Sequence, residues 1–391
     1  MKIVIISEWF SENMGYAENY LPKALGKLGH EVHLITSDLQ IYGTSKEYNR
    51  IYEKYLGPAQ VPQGVFSKVN FTLHRNAHSI DKGIKILGLE KKLKEIQPDI
   101  VYCFGIDDWI TNEIVKLKNK FSYKVFCESR IHKSIFTPPN TFSQKIRQWR
   151  VILNGRKLAK KIDKYYPVAP DVMEVITKYF GVPNEKCELS SLAVETDIFH
   201  PLLNASEIEK FRNKLGYSDD DIVCLYTGRF TDSKGPLILA KAINHLQNNG
   251  HARFKGLFVG QGDDNCVFLI KNSKGCQIHS FVGAEQLAKF YQSFDIGVWP
   301  LEESTSQLDA VACGMPVIVN NTVEDKLRFE GNGLQFKKND FIDLAEKILS
   351  IQEKQKRIKM GLMGSEKIKN HLSWDHLAKR RLLDFAKTIQ A

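Results

Sequence analysis

The chain has 391 residues, of which 55 are Lys or Arg and 45 are Asp or Glu, so its formal net charge is +10. Its hydrophobic and charged fractions, 43% and 26%, are ordinary for a globular protein and exclude a mostly disordered or fibrous chain. No apolar run approaches the roughly 20 residues of a membrane-spanning helix, and the first such run, residues 3–6, is too short for a signal peptide. Seven cysteines without a CxxC pair predict reduced thiols in a cytoplasmic protein.

In the first half of the chain, short β-branched runs alternate with helical patterns. Residues 2–6 predict a buried strand, and residues 17–28 predict a helix because apolar side chains recur there at intervals of three and four. Strands at 31–36, 99–104 and 123–127 and helices at 89–96 and 112–117 follow the same logic. Strands that alternate with helices favour a parallel α/β sheet.

The alternation restarts after residue 201. It predicts strands at 222–226, 255–259, 296–299 and 316–319 and helices at 236–246, 284–291, 307–312 and 374–389. We therefore predict two α/β domains with a boundary near residues 190–205. Two such domains facing each other form a cleft, and ligands of open α/β sheets bind at the carboxyl ends of the strands.

Two cations follow the strand predicted at 222–226. Arg229 and Lys234 lie five residues apart, between that strand and a helix. The guanidinium fork of Arg and the point charge of Lys both bind phosphate, and a helix N-terminus adds backbone donors. This pattern suits a diphosphate. The alternative is a pair of solvated cations on a turn.

A run of helix-capping residues follows the strand predicted at 296–299. The backbone amides around Ser304, Thr305 and Ser306 are placed to point at a phosphate. The carboxylate of Asp309 can accept hydrogen bonds from two sugar hydroxyls. The alternative is an ordinary capped helix with acidic residues at its start.

Two glycines, Gly260 and Gly262, follow the strand predicted at 255–259 and permit close backbone approach to a ligand. No third glycine completes a dinucleotide fingerprint, which argues against a nicotinamide-dependent oxidoreductase. The sequence also lacks a Walker loop, an HExxH motif, a nucleophile elbow and any Cys/His cluster with zinc spacing.

Positive charge is concentrated in residues 116–164, which contain 14 Lys or Arg and two acidic residues. Ile146, Trp149 and Leu153 fall on one side of a predicted helix in this segment, flanked by basic residues. Such a surface can meet an anionic membrane. The alternative is a solvated helix that packs its apolar stripe on its own domain. Nucleic acid is not an expected partner, because no binding motif accompanies the charge.

Six segments in order resemble the retaining glycosyltransferases of the GT-B fold, in the family 4 group (glycosyl transferases group 1). The likeness extends over nearly the whole chain, in segments 1–37, 192–199, 227–235, 259–262, 281–283 and 302–316. It implies two Rossmann-like doubly wound domains facing across a cleft. The acceptor-side domain would span residues 1–195, the nucleotide-sugar-binding domain residues 196–372, and a C-terminal helix at 373–391 would cross back to the first domain.

The activity that the resemblance implies is transfer of a sugar, with its anomeric configuration kept, from a nucleotide diphosphate sugar to a saccharide or lipid-linked acceptor. A UDP-sugar is the expected donor, no metal cofactor is expected, and the product would belong to a cell-surface polysaccharide or glycolipid. The enzyme would be cytoplasmic, with residues 116–164 at the inner face of the membrane. Two alternatives are a catalytically inactive sugar-nucleotide-binding GT-B protein and a nucleotide-sugar epimerase.

The resemblance also implies roles for particular residues. Arg229 and Lys234 would hold the donor diphosphate and offset the charge that develops as it leaves. Glu302 or Glu303 would contact the sugar. The family often has an important histidine after a strand of the N-terminal domain; here Glu128 or His132 takes that place, and the position in the strand favours Glu128. The implied donor-binding residues are Gly15, Gly228, Gly260, Gly262, Val282, Ser304, Thr305, Ser306 and Asp309, the last of which would bind the ribose.

Three features depart from the family pattern. Asp309 stands where the family has a second glutamate, and its reach is shorter. The spacing from Glu302 to Asp309 is seven residues instead of eight, so either Glu302 or Glu303 can be the first acid. The paired glycines of the first loop are reduced to Gly15.

Overall fold

The computed structural model describes residues 1–12, 14–81, 83–106, 108–133, 141–190, 193–202, 204–301 and 304–390. They form two compact units. The N-terminal unit comprises Met1–Leu192 and Leu377–Ala391, and the C-terminal unit comprises Ala193–His376. In the ranges just given, no helix is both long and apolar enough to cross a membrane.

The N-terminal unit is built on a seven-stranded sheet. Its strands are β1 (Lys2–Ser7), β2 (Glu31–Ser37), β3 (Gly64–Lys68), β4 (Phe71–Asn76), β7 (Ile100–Phe104), β8 (Lys124–Ser129) and β9 (Lys164–Pro167), while β5 (His78–Ile80) and β6 (Ile84–Ile86) pair separately. The order is β3-β4-β2-β1-β7-β8-β9, and only the β3–β4 pair is antiparallel. The predicted strands are confirmed, and the β3–β4 hairpin is an addition that the sequence did not indicate.

Helices alternate with the strands of this sheet, as in other doubly wound folds. They are α1 (Ala17–Lys27), α2 (Tyr48–Ile51), α3 (Glu53–Leu56), α4 (Leu89–Ile96), α5 (Trp109–Leu117), α6 (Phe142–Ala159) and α7 (Pro170–Glu174), which continues as a π-helical turn at Val175–Tyr179. The core contains the apolar side chains of β1, β7 and β8, which are almost fully buried.

The C-terminal unit has a six-stranded parallel sheet. Its strands are β10 (Ile222–Phe230), β11 (Phe254–Gly262), β12 (Cys276–His279), β13 (Ile296–Trp299), β14 (Val317–Asn320) and β15 (Gly333–Phe336). Their spatial order is β12-β11-β10-β13-β14-β15, which is the 3-2-1-4-5-6 order of Rossmann domains. The predicted α/β class with doubly wound parallel sheets is therefore confirmed.

Helices precede, connect and follow the strands of this sheet. They are α8 (Ala205–Lys214), α9 (Pro236–Asn248), α10 (Asp264–Lys271), α11 (Ala284–Ser293), α12 (Thr305–Ala312), α13 (Phe341–Ser350) and α14 (Lys354–His371). The next helix, α15 (Trp374–Gln390), begins in the C-terminal unit, and from Leu377 onward it belongs to the N-terminal unit.

Helix α15 contributes buried side chains to the N-terminal unit. The guanidinium of Arg381, which is fully buried, lies 3.3 Å from the ring centroid of Tyr166 and donates to Ser190 Oγ at 2.7 Å. The buried ring of Phe385 packs against Phe126, with 4.5 Å between centroids. The unit is thus completed by a segment distant in sequence.

Strands β10 and β11 run beyond their predicted ends, through the glycine-rich segments. Their parallel register pairs Gly228 with Gly260 and Phe230 with Gly262. A Cβ on Gly260 would lie 2.0 Å from the Gly228 carbonyl oxygen, and one on Gly262 would lie 2.2 Å from the Phe230 carbonyl oxygen. Because Gly260 and Gly262 have no side chains, the backbones of β10 and β11 stay paired up to the ends of both strands.

Candidate functional site

The carboxyl edge of the C-terminal sheet contains a topological switch point. From β10 the chain continues to β11 on one side, whereas β13 lies on the other side of β10. The loops after β10 and β13 therefore lead to helices on opposite faces of the sheet, and ligands of such sheets bind at this point. The sequence placed both of its main motifs in these two loops.

The two predicted phosphate-binding cations lie at the end of β10 and in the loop that follows it. Arg229 is exposed at the end of β10, and its carbonyl oxygen accepts a hydrogen bond from Tyr226 Oη at 2.8 Å. Lys234 is partly buried in the turn before α9, where its backbone N–H donates to the Thr231 carbonyl oxygen at 3.1 Å. The turn ends at Gly235, whose φ of +68° suits glycine.

The loops after β10 and β13 pack directly on each other. A Cβ on Gly235 would lie 2.6 Å from Leu301 Cγ, so glycine is required by close approach as well as by its φ. Asn320, at the end of β14, donates from Nδ2 to the Leu301 carbonyl oxygen at 2.6 Å. The cation-bearing turn therefore lies beside residue 301. Glu302 and Glu303, the predicted sugar contacts, lie outside the described residues.

Helix α12 begins with the predicted capping residues. Ser304 is its N-cap, and Ser304 Oγ accepts from the Ser306 N–H at 3.2 Å, so that amide has an internal partner. Thr305 is exposed at the first helical position. Arg328, which is buried, donates from Nη1 to the Ser304 carbonyl oxygen at 2.9 Å and to Gln307 Oε1 at 3.0 Å. Arg328 thereby fixes the start of the helix.

Asp309 lies one turn further along α12 and is partly buried. Burial raises the pKa of its carboxyl group to about 8. Nearby, the buried Tyr291 hydroxyl forms a 2.7 Å hydrogen bond with Thr227 Oγ1 and also bonds to the Ser306 side chain. Trp299 Nε1 donates to the Thr227 carbonyl oxygen at 3.0 Å. Tyr291 therefore ties the end of β10 to the first turns of α12.

Three further predicted donor-binding positions lie at or near strand ends. Gly262 is exposed at the end of β11, next to the buried Gly260 of the same strand. Val282 follows β12 and is buried in the core of the C-terminal unit, whereas its neighbour Phe281 is exposed. Sequence reasoning missed Tyr291, Asn320 and Arg328, because each acts through a contact far along the chain that no local spacing signals.

In the N-terminal unit, Glu128 lies on β8 and is buried, with 2% of its surface exposed. Arg130 Nε donates to Glu128 Oε1 at 2.9 Å, and Tyr102 Oη donates to Glu128 Oε2 at 3.2 Å. Arg130 also pairs with the buried Glu18 at 3.2 Å, and burial raises the pKa of Glu18. Both carboxylate oxygens of Glu128 are thus used inside the unit.

His132, the alternative candidate, lies in the loop after β8, and its side chain is exposed. Its Nδ1 is 3.0 Å from Asp171 Oδ2, and because an ionised carboxylate only accepts, Nδ1–H is the donor. The Lys133 N–H also donates to Asp171 Oδ2, at 3.1 Å. Burial alone would raise the pKa of Asp171, but these hydrogen bonds hold it below its usual value. Asp171 therefore orients an accessible imidazole.

The first loop contains Gly15, which is exposed just before α1. A Cβ there would approach no atom more closely than Tyr20 Cε2 at 4.0 Å, so the described surroundings do not require glycine at this position. Within the described ranges, no group of three or more His, Cys, Asp or Glu side chains is arranged to hold a metal ion.

Comparison with known proteins agrees with this geometry. Residues 221–354, which contain β10 to β15, match the family model of glycosyl transferases group 1. An uncharacterized glycosyltransferase of Methanocaldococcus jannaschii is 24% identical over 329 residues, which cover 80% of this chain and 78% of that protein.

Solved structures of glycosyltransferases share the fold over nearly the whole chain. Sucrose-phosphate synthase from Thermosynechococcus elongatus has a TM-score of 0.71 at 16% identity, covering 99% of this chain and 98% of that one. Alr3699/HepE from Anabaena, solved in complex with UDP, has a TM-score of 0.66 at 14% identity, covering 99% of this chain and 100% of that one. The predicted GT-B fold is thereby confirmed.

Proposed function

We propose that the chain, which matches the group 1 glycosyltransferase family model over residues 221–354, is a retaining enzyme that transfers a sugar from a UDP-sugar to an acceptor. One observation carries the proposal. The exposed Arg229 and the turn containing Lys234 lie at the switch point of the C-terminal sheet, packed against the loop that leads into α12. This is where a Rossmann-type unit binds a nucleotide.

In this proposal the two cations provide the electrostatic stabilisation that the reaction needs. Arg229 and Lys234 bind the diphosphate and stabilise the negative charge that grows on it as the bond to the sugar breaks. Such stabilisation lowers the barrier because it is stronger in the transition state than in the ground state. We propose that the reaction needs no metal, since these cations supply the positive charge.

The nucleoside would be held by Asp309 and by backbone groups at the ends of β10 and β11. Because burial raises the pKa of Asp309 to about 8, its carboxyl would lose a proton when it accepts hydrogen bonds from the ribose hydroxyls. UDP is the nucleotide we propose, which is supported by the structures of Alr3699/HepE with UDP and with UDP-glucose.

On the acceptor side we assign different roles to Glu128 and His132. Glu128 is buried beneath Arg130 and would act as a positioning residue that holds Arg130 at the end of β8. His132 is exposed and oriented by Asp171, so it is the group we propose to contact the substrate.

Helix α6 supports a membrane-associated acceptor. Four large apolar side chains on one face of the helix are exposed, led by Phe142 at 77% and Trp149 at 63%, together with Ile146 and Leu153. Residues 141–162 contain seven Lys or Arg and no acidic residue. Exposed apolar and cationic side chains on one helix are typical of binding to an anionic bilayer. We propose this contact for residues 116–164, in the synthesis of a cell-surface polysaccharide or glycolipid.

Thermal unfolding with added nucleotides tests the donor site. We expect UDP to raise the Tm of the wild type more than GDP, ADP, dTDP, CMP or NAD, and to have little effect on the double variant Arg229→Ala/Lys234→Ala. A UDP shift of equal size in the variant would refute the donor assignment. UDP binding without sugar transfer or hydrolysis would instead indicate an inactive sugar-nucleotide-binding protein.

Sedimentation with vesicles tests the membrane contact. We expect the wild type to bind vesicles rich in anionic phospholipid, and both Trp149→Ser and the triple variant Lys157→Gln/Lys160→Gln/Lys161→Gln to bind them weakly. Added salt should weaken binding of the wild type. Equal binding to purely zwitterionic vesicles would contradict an electrostatic contact.

A further inference from the structure

A cavity of about 340 Å³ opens in the N-terminal unit, in a part of the molecule to which the donor chemistry assigns no role. Ser11, Glu12, Gln40, Phe66 and Arg75 are among its lining residues. This volume lies at the lower end of the range for small-molecule sites and suits a group the size of one sugar.

The cavity lies at the carboxyl edge of the sheet. Arg75, on β4, is paired in register with Thr36 on β2, which in turn is paired with Ser7, the last residue of β1. These parallel strands therefore end side by side at the cavity. Ligands of open α/β sheets bind at this edge.

Arg75 is an unusual residue for such a wall, because it is only 6% exposed. Its Nη2 donates to the Phe10 carbonyl oxygen at 3.1 Å, and the guanidinium lies 5.4 Å from the Phe10 ring centroid. Its Nη1 is buried without a hydrogen-bond partner among the described residues. Burial lowers the pKa of Arg75, although the charges of Glu12 and Asp38 act in the opposite direction.

Three other polar side chains of the wall have partners of their own. Ser11 Oγ donates to Gln40 Oε1 at 2.7 Å, and Gln40 Nε2 donates to the Leu56 carbonyl oxygen at 2.7 Å. The Glu12 carboxylate, the acidic group of the wall, is paired with Lys68 at 2.7 Å. The unmet demand for a hydrogen-bond acceptor therefore comes from Arg75, and the acceptor that best satisfies a buried guanidinium is an anion.

We propose that this cavity binds the phosphate or carboxylate group of an anionic acceptor sugar, with Arg75 as its counter-charge. The inference of an anion site depends only on the cavity and on Arg75. Its description as an acceptor site rests on the proposed function.

Thermal-shift titrations with three probes that differ in charge test the site. The probes are glucose 1-phosphate, glucuronate and glucose, at constant ionic strength. We expect at least one anionic probe to stabilise the wild type and glucose to have no effect. The probe that binds shows whether the site takes a phosphate or a carboxylate. The titrations are repeated in Arg229→Ala/Lys234→Ala, because glucose 1-phosphate can also bind the cations of the C-terminal unit.

Two variants address the cavity by different means. Arg75→Met removes the charge at similar volume, and Val61→Phe fills the cavity from another lining residue while Arg75 stays in place. We expect either change to weaken binding of the anionic probe by at least about tenfold, the usual scale for a charged hydrogen bond. Arg50→Met, which changes an exposed arginine of the same unit, is the matched control and should bind like the wild type. If Arg75→Met does not fold, Val61→Phe decides alone.

The proposal is overturned if neither anionic probe binds, if glucose binds as well as they do, or if both cavity variants keep wild-type affinity. UDP titrations on the same proteins separate this site from the donor site. A normal UDP shift without an anion shift refutes the cavity alone. An anion shift without a UDP shift refutes the donor site and leaves the cavity standing.

Discussion

The carboxyl edges of the two sheets differ in whether their charged side chains are exposed or paired with one another. In the C-terminal unit the edge consists of the paired glycine backbones of β10 and β11 and of an exposed cation, Arg229, near the end of β10. In the N-terminal unit the corresponding edge holds a cluster of charges turned inward, in which Arg130 pairs with Glu128 and Glu18. Phe104 adds a cation–π contact, 4.8 Å from the Arg130 guanidinium.

The difference shows how one architecture, used twice, serves two purposes. Exposed cations and bare backbone can adapt to a charged leaving group, because they are accessible to ligand. Buried ion pairs are costly to disturb, since removal of one partner leaves the other charge unsolvated. We therefore expect loss of a cation at the C-terminal edge to alter turnover and binding, and loss of a charge from the buried cluster of Arg130, Glu128 and Glu18 to alter stability.

The largest expected effect is that of Lys234→Ala on turnover. Loss of one preorganised contact to a developing negative charge typically costs about 10²- to 10³-fold in kcat. The Tm should stay near that of the wild type. The matched control is Lys241→Ala, an exposed lysine on α9, which should keep full activity. Normal turnover in Lys234→Ala would contradict the contrast at its strongest point.

The next effect is that of Gly260→Ala on the stability of the C-terminal unit. The new Cβ would lie 2.0 Å from the Gly228 carbonyl oxygen, at a residue whose φ is +148°. We expect a loss of about 3 kcal/mol in the free energy of unfolding, measured in urea. Gly283→Ala, where the added Cβ meets no atom within 4 Å, should lose less than about 1 kcal/mol. Equal losses would show that the strand pairing tolerates a side chain.

Glu128→Gln should act on stability with only a small effect on turnover. The change removes the charge opposite Arg130, and we expect a loss of about 2 kcal/mol in the free energy of unfolding. His132→Gln is the complementary variant, and it should lower kcat while the Tm stays constant. If Glu128→Gln loses turnover at unchanged stability, Glu128 has a chemical role, as its place in the strand first indicated.

The smallest effect is a pH-dependent gain in stability for Asp309→Asn. The pKa of Asp309 is raised from 3.8 to about 8, so between these values the folded chain holds a proton that the unfolded chain has released. The free energy of unfolding of the wild type therefore falls across this range and levels off above it.

Asp309→Asn lacks this titration, so its Tm advantage should grow from pH 4 to pH 8, reaching at least about 2 °C. Its affinity for UDP should fall at the same time. A Tm difference that does not vary with pH would contradict the raised pKa. The two measurements together would show whether the Asp309 carboxyl group lowers the stability of the fold while it strengthens the binding of UDP.

Local patterns were sufficient to predict most of the fold. Alternating strand and helix patterns identified the two doubly wound units, and the helical period placed Ile146, Trp149 and Leu153 on a face that is exposed. The extension of β10 and β11 was missed, because glycine lowers strand propensity. Those glycines are explained by backbone contact between strands, which becomes visible only when both strands are in place.

The candidate site was predictable only where its residues lie close together in sequence. Arg229 and Lys234 lie five residues apart in sequence and were found, whereas Tyr291, Asn320 and Arg328 act across the unit and were not. Arg75 lies in the strand β4 and resembles a solvated side chain in sequence. Its burial depends on Phe10, which is 65 positions away along the chain.

Helix α15 has a consequence for how the chain is made. The N-terminal unit needs Arg381 over Tyr166 and Phe385 against Phe126, yet these side chains are translated after the entire C-terminal unit. While the ribosome makes the second unit, the aromatic surface of the first therefore stays uncovered. The N-terminal unit can therefore complete its packing only after α15 has been made, although most of its residues are translated first.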